Sequence, residues 1–257
     1  MTPVFNFIKR LFAGKKRLGE PDLEGFQRVI KYEFNNSALL RHALTHKSFA
    51  GQGDALGLLS NERLEFLGDS FVNCLVTEYL YRTYPDKSEG HLSKIKSLVV
   101  SRKILGEVAQ GLGFGKYMIM SLSEEKSGGR ARMSTASNAF EAVCGAMYID
   151  GGLAAVKNFL ERCLFGRISA FLEDENNVNY KSQILEMSQR DGFGIPRYAT
   201  TEVAGPDHAK RFTVKIYIGS AEMGEGTGTS KKIAQQIAAH NASLNYDKSK
   251  IGGGAVA

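Results

Sequence analysis

The chain has 257 residues, room for one or two domains and a sizeable core. With 43% hydrophobic and 23% charged residues it has the make-up of an ordinary soluble globular protein, and no uninterrupted apolar run approaches the roughly 18 residues of a membrane span, so no transmembrane segment is expected. A net charge of +6, with a pI near 9.1, leans toward a polyanionic partner but is a weak signal alone.

Residues 1–21 form a basic extension. Phe5, Phe7, Ile8, Leu11 and Phe12 alternate there with Lys9, Arg10, Lys15, Lys16 and Arg17. Charges interrupt it too early for a secretory signal, leaving a basic amphipathic arm and a loosely ordered tail as the two readings. From residue 22 to 172 apolar residues recur at three and four, predicting an all-α domain. Its helices are expected over Leu23–Ile30, Ser37–Leu44, Asn61–Tyr84, Gly90–Gln110, Thr135–Asp150 and Leu153–Leu172, with Ser121–Met133 a polar loop. Residues 173–179 (EDENNVN) have almost nothing to bury and read as a linker.

Beyond the linker the period changes. Residues 180–247 predict a small α+β domain of order αβββα: a helix over Tyr180–Arg190, strands over Arg197–Val203 and Arg211–Ile218, a third short strand within Gly219–Gly228, and a helix over Ser230–Tyr246. Ser230 is the expected N-cap of that last helix, and Ile233, Ile237 and Leu244 share one side of it. Residues 248–257 are expected to be a disordered tail. Cys74, Cys144 and Cys163 are odd in number, contain no CxxC and sit in apolar helical patterns, so they read as buried, reduced thiols of a cytosolic protein.

The most informative segment is Asn61–Ser70, NERLEFLGDS. On a helix, Glu62, Glu65 and Asp69 fall within roughly 60° of one another, while Leu64, Leu67, Phe71 and Leu75 form the opposite, apolar face. Like charges at this spacing cost about 0.2–0.5 kcal/mol per pair, and no basic residue lies four positions away to relieve them. A solvated face ordinarily interleaves both signs; a one-sign stripe over a buried one suits a hard, oxygen-seeking cation. Phe66 lies on the acidic side, where an aromatic needs cover from another element or chain. A second predicted helix offers Asn138 and Glu141 on one face, with Phe140, Val143, Cys144 and Met147 on the apolar side. If the two helices pack together, Glu65, Asp69, Asn138 and Glu141 converge on one metal; by itself the Asn138–Glu141 pair is ordinary surface polarity.

These residues resemble the ribonuclease III family. NERLEFLGDS matches its most specific motif almost letter for letter, and HALTHKSF (42–49), EGHLSKIKSLVVS (89–101), EKSGG (125–129) and FEAVCGAMYIDGG (140–152) match in order and spacing. The αβββα tail resembles a double-stranded RNA-binding domain. The resemblance covers roughly residues 22–247 and implies a cytoplasmic homodimeric endonuclease. It would cut double-stranded RNA with Mg2+ to 5′-phosphate and 3′-hydroxyl ends, in the processing of ribosomal RNA precursors and other structured transcripts. It implies Glu65, Asp69 and Glu141 as metal ligands, with Asp69 and Glu141 the essential catalytic pair. Glu62, Glu89 and Glu124 match supporting acids, and Phe66 matches an aromatic that plugs into the partner subunit. The family normally has Asp where this chain has Asn138. An amide oxygen still ligates Mg2+ but brings no charge, so weaker metal binding and reduced activity are expected. The rival reading is therefore a non-catalytic or weakly active double-stranded RNA binder.

A-form RNA is read by shape, through its minor groove and flanking phosphates. Lys231 and Lys232 open the last helix, where the helix N-terminus also favours phosphate. The turn Gly205–His208 resembles the family loop whose His208 counterpart enters the minor groove. Ser182, Glu186 and Gln189 lie along one side of the first helix as polar groups for ribose hydroxyls. His42 and His46 stand four apart, a zinc-compatible spacing, but no third ligand is evident, so they read as core or surface histidines.

Overall fold

The computed structural model describes residues 21–50, 58–174, 177, 179–206, 209–247 and 251. All but Pro21 of the basic extension, His208 and nearly all of the C-terminal tail lie outside the described residues. The chain forms two compact units that divide between Asp174 and Glu175.

The first unit is helical. α1 (Leu23–Ile30) starts where the Asp22 carboxylate accepts the Gly25 N–H, and it buries Phe26 and Ile30. α2 (Ser37–Ala43) is capped in the same way by Asn36. The one-turn α3 (Lys47–Ala50) follows, then the long α4 (Glu62–Thr83). The helix expected over Gly90–Gln110 is two helices, α5 (Glu89–Val99) and α6 (Arg102–Gly111). They separate at Val100–Ser101 because the Ser101 hydroxyl accepts the Ile104 N–H and starts a new helix, work for which serine is far better suited than for a helix interior. After the short α7 (Phe114–Tyr117), the expected loop at 121–133 contains α8 (Leu122–Lys126), capped by Ser121, and a 3-10 turn at Gly129–Ala131.

α9 (Met133–Cys163) joins two helices across a kink at the break expected between 150 and 153; the second ends at Cys163, earlier than the expected Leu172. It bends at Gly152 (φ 73°, ψ −171°), and a 3-10 turn and α10 (Ile168–Glu173) follow it. This central helix buries Phe140, Val143, Cys144, Met147, Phe159 and Leu160. Phe26 meets Phe114 edge-on at 4.8 Å, and Phe140 lies 5.3 Å from Phe159, so aromatic contacts fill much of the core. Asp150 ties α9 to the α1–α2 connection by accepting from the Asn35 and Asn36 N–H groups and the Tyr32 hydroxyl. Contrary to the expectation from apolar runs, the stretch Met133–Glu173 is by length and composition apolar enough to cross a membrane, but over half of its most apolar window is buried inside the unit. Of the three cysteines, Cys144 is buried and Cys163 half-buried. Cys74 is exposed, contrary to expectation, because it faces out from α4. Burial raises the Cys163 thiol to about 12 and Cys144 well above its ordinary range, so both stay protonated near neutral pH.

In the second unit, α11 (Tyr180–Arg190) is capped by Asn179. An antiparallel sheet of order β1 (Arg197–Ala204), β2 (Arg211–Ile218), β3 (Ala221–Gly228) follows, then α12 (Lys231–Leu244) with Ser230 as its cap. Val214, Ile216 and Ile218 face inward with Ile184 and Met223. The last helix turns the other way from the one expected. Ile233, Ile237 and Leu244 are 46%, 37% and 71% exposed, and Ala234, Ala238, Ala239 and Ala242 are buried instead. Backbone proximity explains this. A Cβ on Gly226 would lie 2.3 Å from the Ala238 nitrogen, and one on Gly224 2.8 Å from the Ala238 oxygen. The sheet and helix lie so close that only alanine fits between them.

Candidate active site

The site is built by the crossing of α4 and α9. A Cβ on Gly68 would lie 1.8 Å from the Glu141 carbonyl oxygen, and one on Gly145 2.3 Å from the Leu64 carbonyl oxygen. The two helices touch backbone to backbone there, which no side chain permits. Residues flanking the crossing are thereby brought together: Glu65 and Asp69 from α4, Asn138 and Glu141 from α9. The apolar faces settle which way they point, since Leu64, Val72 and Leu75 of α4 and Phe140, Val143 and Cys144 of α9 are buried.

These four line an open pocket of about 610 Å³ with Lys47, Glu62, Phe66, Val100, Arg102 and Ser137. Three carboxylates at the crossing repel one another. Burial, then Asp69 and Glu65, push the Glu141 carboxyl up to about 7, while Arg102 pulls it down. Burial and Glu62 raise the Glu65 carboxyl; Lys47, Arg102 and a side-chain hydrogen bond from Asn138 oppose that rise. The Asp69 carboxylate accepts a 2.8 Å hydrogen bond from Asn73. Every donor atom these four present toward a ligand is oxygen, apart from the Asn138 amide nitrogen, and crowded like charge of this kind is relieved by a hard divalent cation. Among the described residues no three His, Cys, Asp or Glu side chains are already arranged to grip one ion. The fit is therefore one of donor chemistry and charge.

The remaining site residues expected from the sequence are distributed differently. Glu62 lines the same pocket and pairs with Lys47 at 3.3 Å. Phe66 is 79% exposed on its rim, as its place on the acidic side predicted. Glu89 does not line this pocket. It heads α5, accepts a 2.7 Å hydrogen bond from Ser93, and lines a separate pocket with Leu80, Tyr81, Tyr84 and Leu92. Glu124 pairs with Arg132 and packs under Gly129, bracing the loop before α9 rather than entering the pocket. His42 is a core histidine with Nε2 2.7 Å from the Ser60 carbonyl oxygen; His46, half-buried, has Nδ1 2.9 Å from the Ser48 hydroxyl oxygen. In the second unit Ser182, Glu186 and Gln189 lie exposed along α11, opposite buried Ile184 and Ser188. Lys231 and Lys232 are exposed at the start of α12. The head of α11 lies beside α12, where the Lys181 ammonium donates to Gln235 at 2.6 Å.

Two charged pocket residues were not anticipated, Lys47 and Arg102. Neither lies within helical spacing of the acidic stripe, so no local pattern marks them.

Comparison with known proteins gives the class first. Residues 36–168 match the family model described as Ribonuclease-III-like, and residues 180–246 match the double-stranded RNA binding motif. A helical nuclease domain is thus followed by an RNA-binding motif. The chain is 37% identical to a ribonuclease 3 of Geobacter sulfurreducens, covering 86% of this chain and 89% of the relative. It is 43% identical to one of Streptomyces coelicolor, covering 80% and 74% respectively. A crystal structure of the ribonuclease III nuclease domain from Campylobacter jejuni matches with a TM-score of 0.52 at 35% identity, covering 60% of this chain and 97% of that one. The chain belongs to the ribonuclease III family and is an endoribonuclease.

Proposed function

We propose that this chain cuts double-stranded RNA in a magnesium-dependent reaction that leaves 5′-phosphate and 3′-hydroxyl ends, acting in the cytoplasm on ribosomal RNA precursors and other structured transcripts. The observation that carries this reading is the α4–α9 crossing, which gathers Glu65, Asp69, Asn138 and Glu141 in one pocket of a chain that also holds a double-stranded RNA-binding motif. Those four would hold the metal, which when bound supplies an acidified water and charge stabilisation at the scissile phosphate. The chain's own contribution is to orient. The helix crossing brings the carboxylates together, and Asn73 steadies Asp69. Exposed Lys231 and Lys232, with Ser182, Glu186, Gln189 and His208, would engage duplex phosphates and ribose hydroxyls.

Phe66 supports a homodimer. A large aromatic exposed beside an active site asks for a partner surface. The pocket of about 720 Å³ at the far end of α4, whose Leu80, Tyr81, Tyr84 and Leu92 form an apolar wall rimmed by Arg82, Lys87, Glu89 and Lys96, is a recess suited to receive it from a second copy. A related Campylobacter jejuni structure is described by the flexibility of its region involved in dimer formation.

Labelled duplex RNA incubated with Mg2+, with Ca2+ or with chelator tests the nuclease reading: cutting is expected with Mg2+ alone. Tight binding without cutting in any condition favours the second reading, a non-catalytic or weakly active binder, for which the observation is the uncharged Asn138. Asn138→Asp is expected to lower the Mg2+ concentration needed for half-maximal cleavage. Superimposable titrations for the two proteins would remove Asn138 as a determinant of activity.

A further inference from the structure

The two unanticipated cations of the pocket have no role in holding a metal. Arg102, the first residue of α6, lines the pocket with Glu65, Asp69 and Glu141 and lies close enough to favour the charged forms of Glu65 and Glu141. Among the described residues it nonetheless makes no hydrogen bond and no ion pair, so all five of its N–H donors remain available. An arginine placed only to neutralise carboxylates would be expected to close on one of them in a two-pronged contact. Lys47, on α3, is mostly exposed and, among the described residues, pairs only with Glu62, a half-exposed carboxylate. Such a surface pair is worth about 0–1 kcal/mol and exchanges easily for another anion.

A phosphodiester approaching three carboxylates is repelled by all of them. Two cations on the walls of the same pocket, one unpaired and one loosely paired, offset that repulsion where the strand must enter. We infer that Lys47 and Arg102 bind the phosphate backbone of the strand being cut, Arg102 as a bidentate fork and Lys47 as a point charge that leaves Glu62 for the RNA. The inference rests on the nuclease reading above and adds to it two specific substrate contacts.

The test uses the full chain and labelled duplex RNA. Cleavage (kcat/KM) in Mg2+ and duplex binding in Ca2+ are each measured against salt concentration for the wild type, Lys47→Ala, Arg102→Ala, the double variant and Arg102→Lys. Each alanine variant is expected to lose about 10-fold in kcat/KM, the scale of a hydrogen bond to a charged group. Each should also flatten the log–log salt dependence by about one unit. Arg102→Lys keeps the salt slope and loses part of the rate, because charge survives and the fork does not. Thermal melts of the variants check that these exposed substitutions leave folding intact. A double variant with the wild-type slope and rate overturns the inference. So does a fall in rate at unchanged slope, which would mean that the pair acts on the carboxylates and not on phosphate. A wild-type chain that neither binds nor cuts duplex RNA would take down the nuclease reading itself, and this inference with it.

Discussion

The two units of this chain use the same device to opposite ends. In the first, Gly68 and Gly145 let α4 and α9 touch backbone to backbone, and in the second, Gly224 and Gly226 let β3 touch α12. At the α4–α9 crossing three of the flanking residues are carboxylates, and close approach forces like charges into one pocket. At the β3–α12 contact the flanking residues are alanines, and close approach gives apolar packing, with Lys231 and Lys232 left exposed at the helix start. The proposed catalytic groups are crowded against their electrostatic preference, whereas the proposed RNA-binding groups are spread out in solvent. A nuclease centre needs its charges to meet at one atom; a surface that reads duplex shape needs charges at the spacing of phosphates.

The comparison breaks most sharply at the carboxylates. Asp69→Asn or Glu141→Gln is expected to lower cleavage by roughly 10³-fold or more, the scale on which loss of a preorganised charge at a transition state registers. Binding of duplex RNA in Ca2+ should change little. A variant that still cleaves at a tenth of the wild-type rate would falsify the assignment of that residue.

Next in size are the glycines. Gly145→Ala and Gly226→Ala each place a methyl group against backbone atoms that cannot swing aside, so each should cost about 1–3 kcal/mol of stability despite alanine's better helix or strand propensity. Denaturant unfolding measures that cost. Their functional effects should differ: Gly145→Ala impairs cleavage at saturating RNA, and Gly226→Ala impairs binding. Equal effects of both on both readouts would erase the contrast drawn here.

Charge reversal at Lys231 or Lys232 should weaken duplex binding across sequences and flatten its salt slope by about one unit each. Maximal cleavage at saturating RNA should be unaffected. A slope unchanged in the double reversal excludes these lysines as phosphate contacts.

The smallest expected effect is on stability against pH. Glu141 has a carboxyl near 7 in the folded chain against an ordinary value of 4.5. Below the ordinary value it is protonated in both states, and its favourable contribution to folding is fully present. As pH rises through about 7 the folded chain must accept a charge that the unfolded chain carries freely, and that contribution is lost. The metal-free protein should therefore melt a few degrees lower at pH 8 than at pH 5. Glu141→Gln should flatten this dependence, and Mg2+ should raise the melting temperature most at the higher pH. Thermal scans across that range, with and without Mg2+, decide it.

Local pattern alone determined much of this protein. The helices Leu23–Ile30 and Tyr180–Arg190 and the strand Arg211–Ile218 were legible to the residue, because apolar period, caps and turn residues act over a few positions. So was the shared face of Glu62, Glu65 and Asp69, which helix geometry imposes, and the exposure of Phe66 that follows from it. Tertiary structure decided the rest. It chose the alanine side of α12 over the isoleucine side, because the distance between two backbones, and not hydrophobicity, sets what fits between them. It sent Glu89 and Glu124 to other places, turned Cys74 to solvent, and brought Lys47 and Arg102 from distant segments to the acidic pocket. A charge reaches across space to whatever the fold puts beside it, and no spacing along the chain records that neighbour.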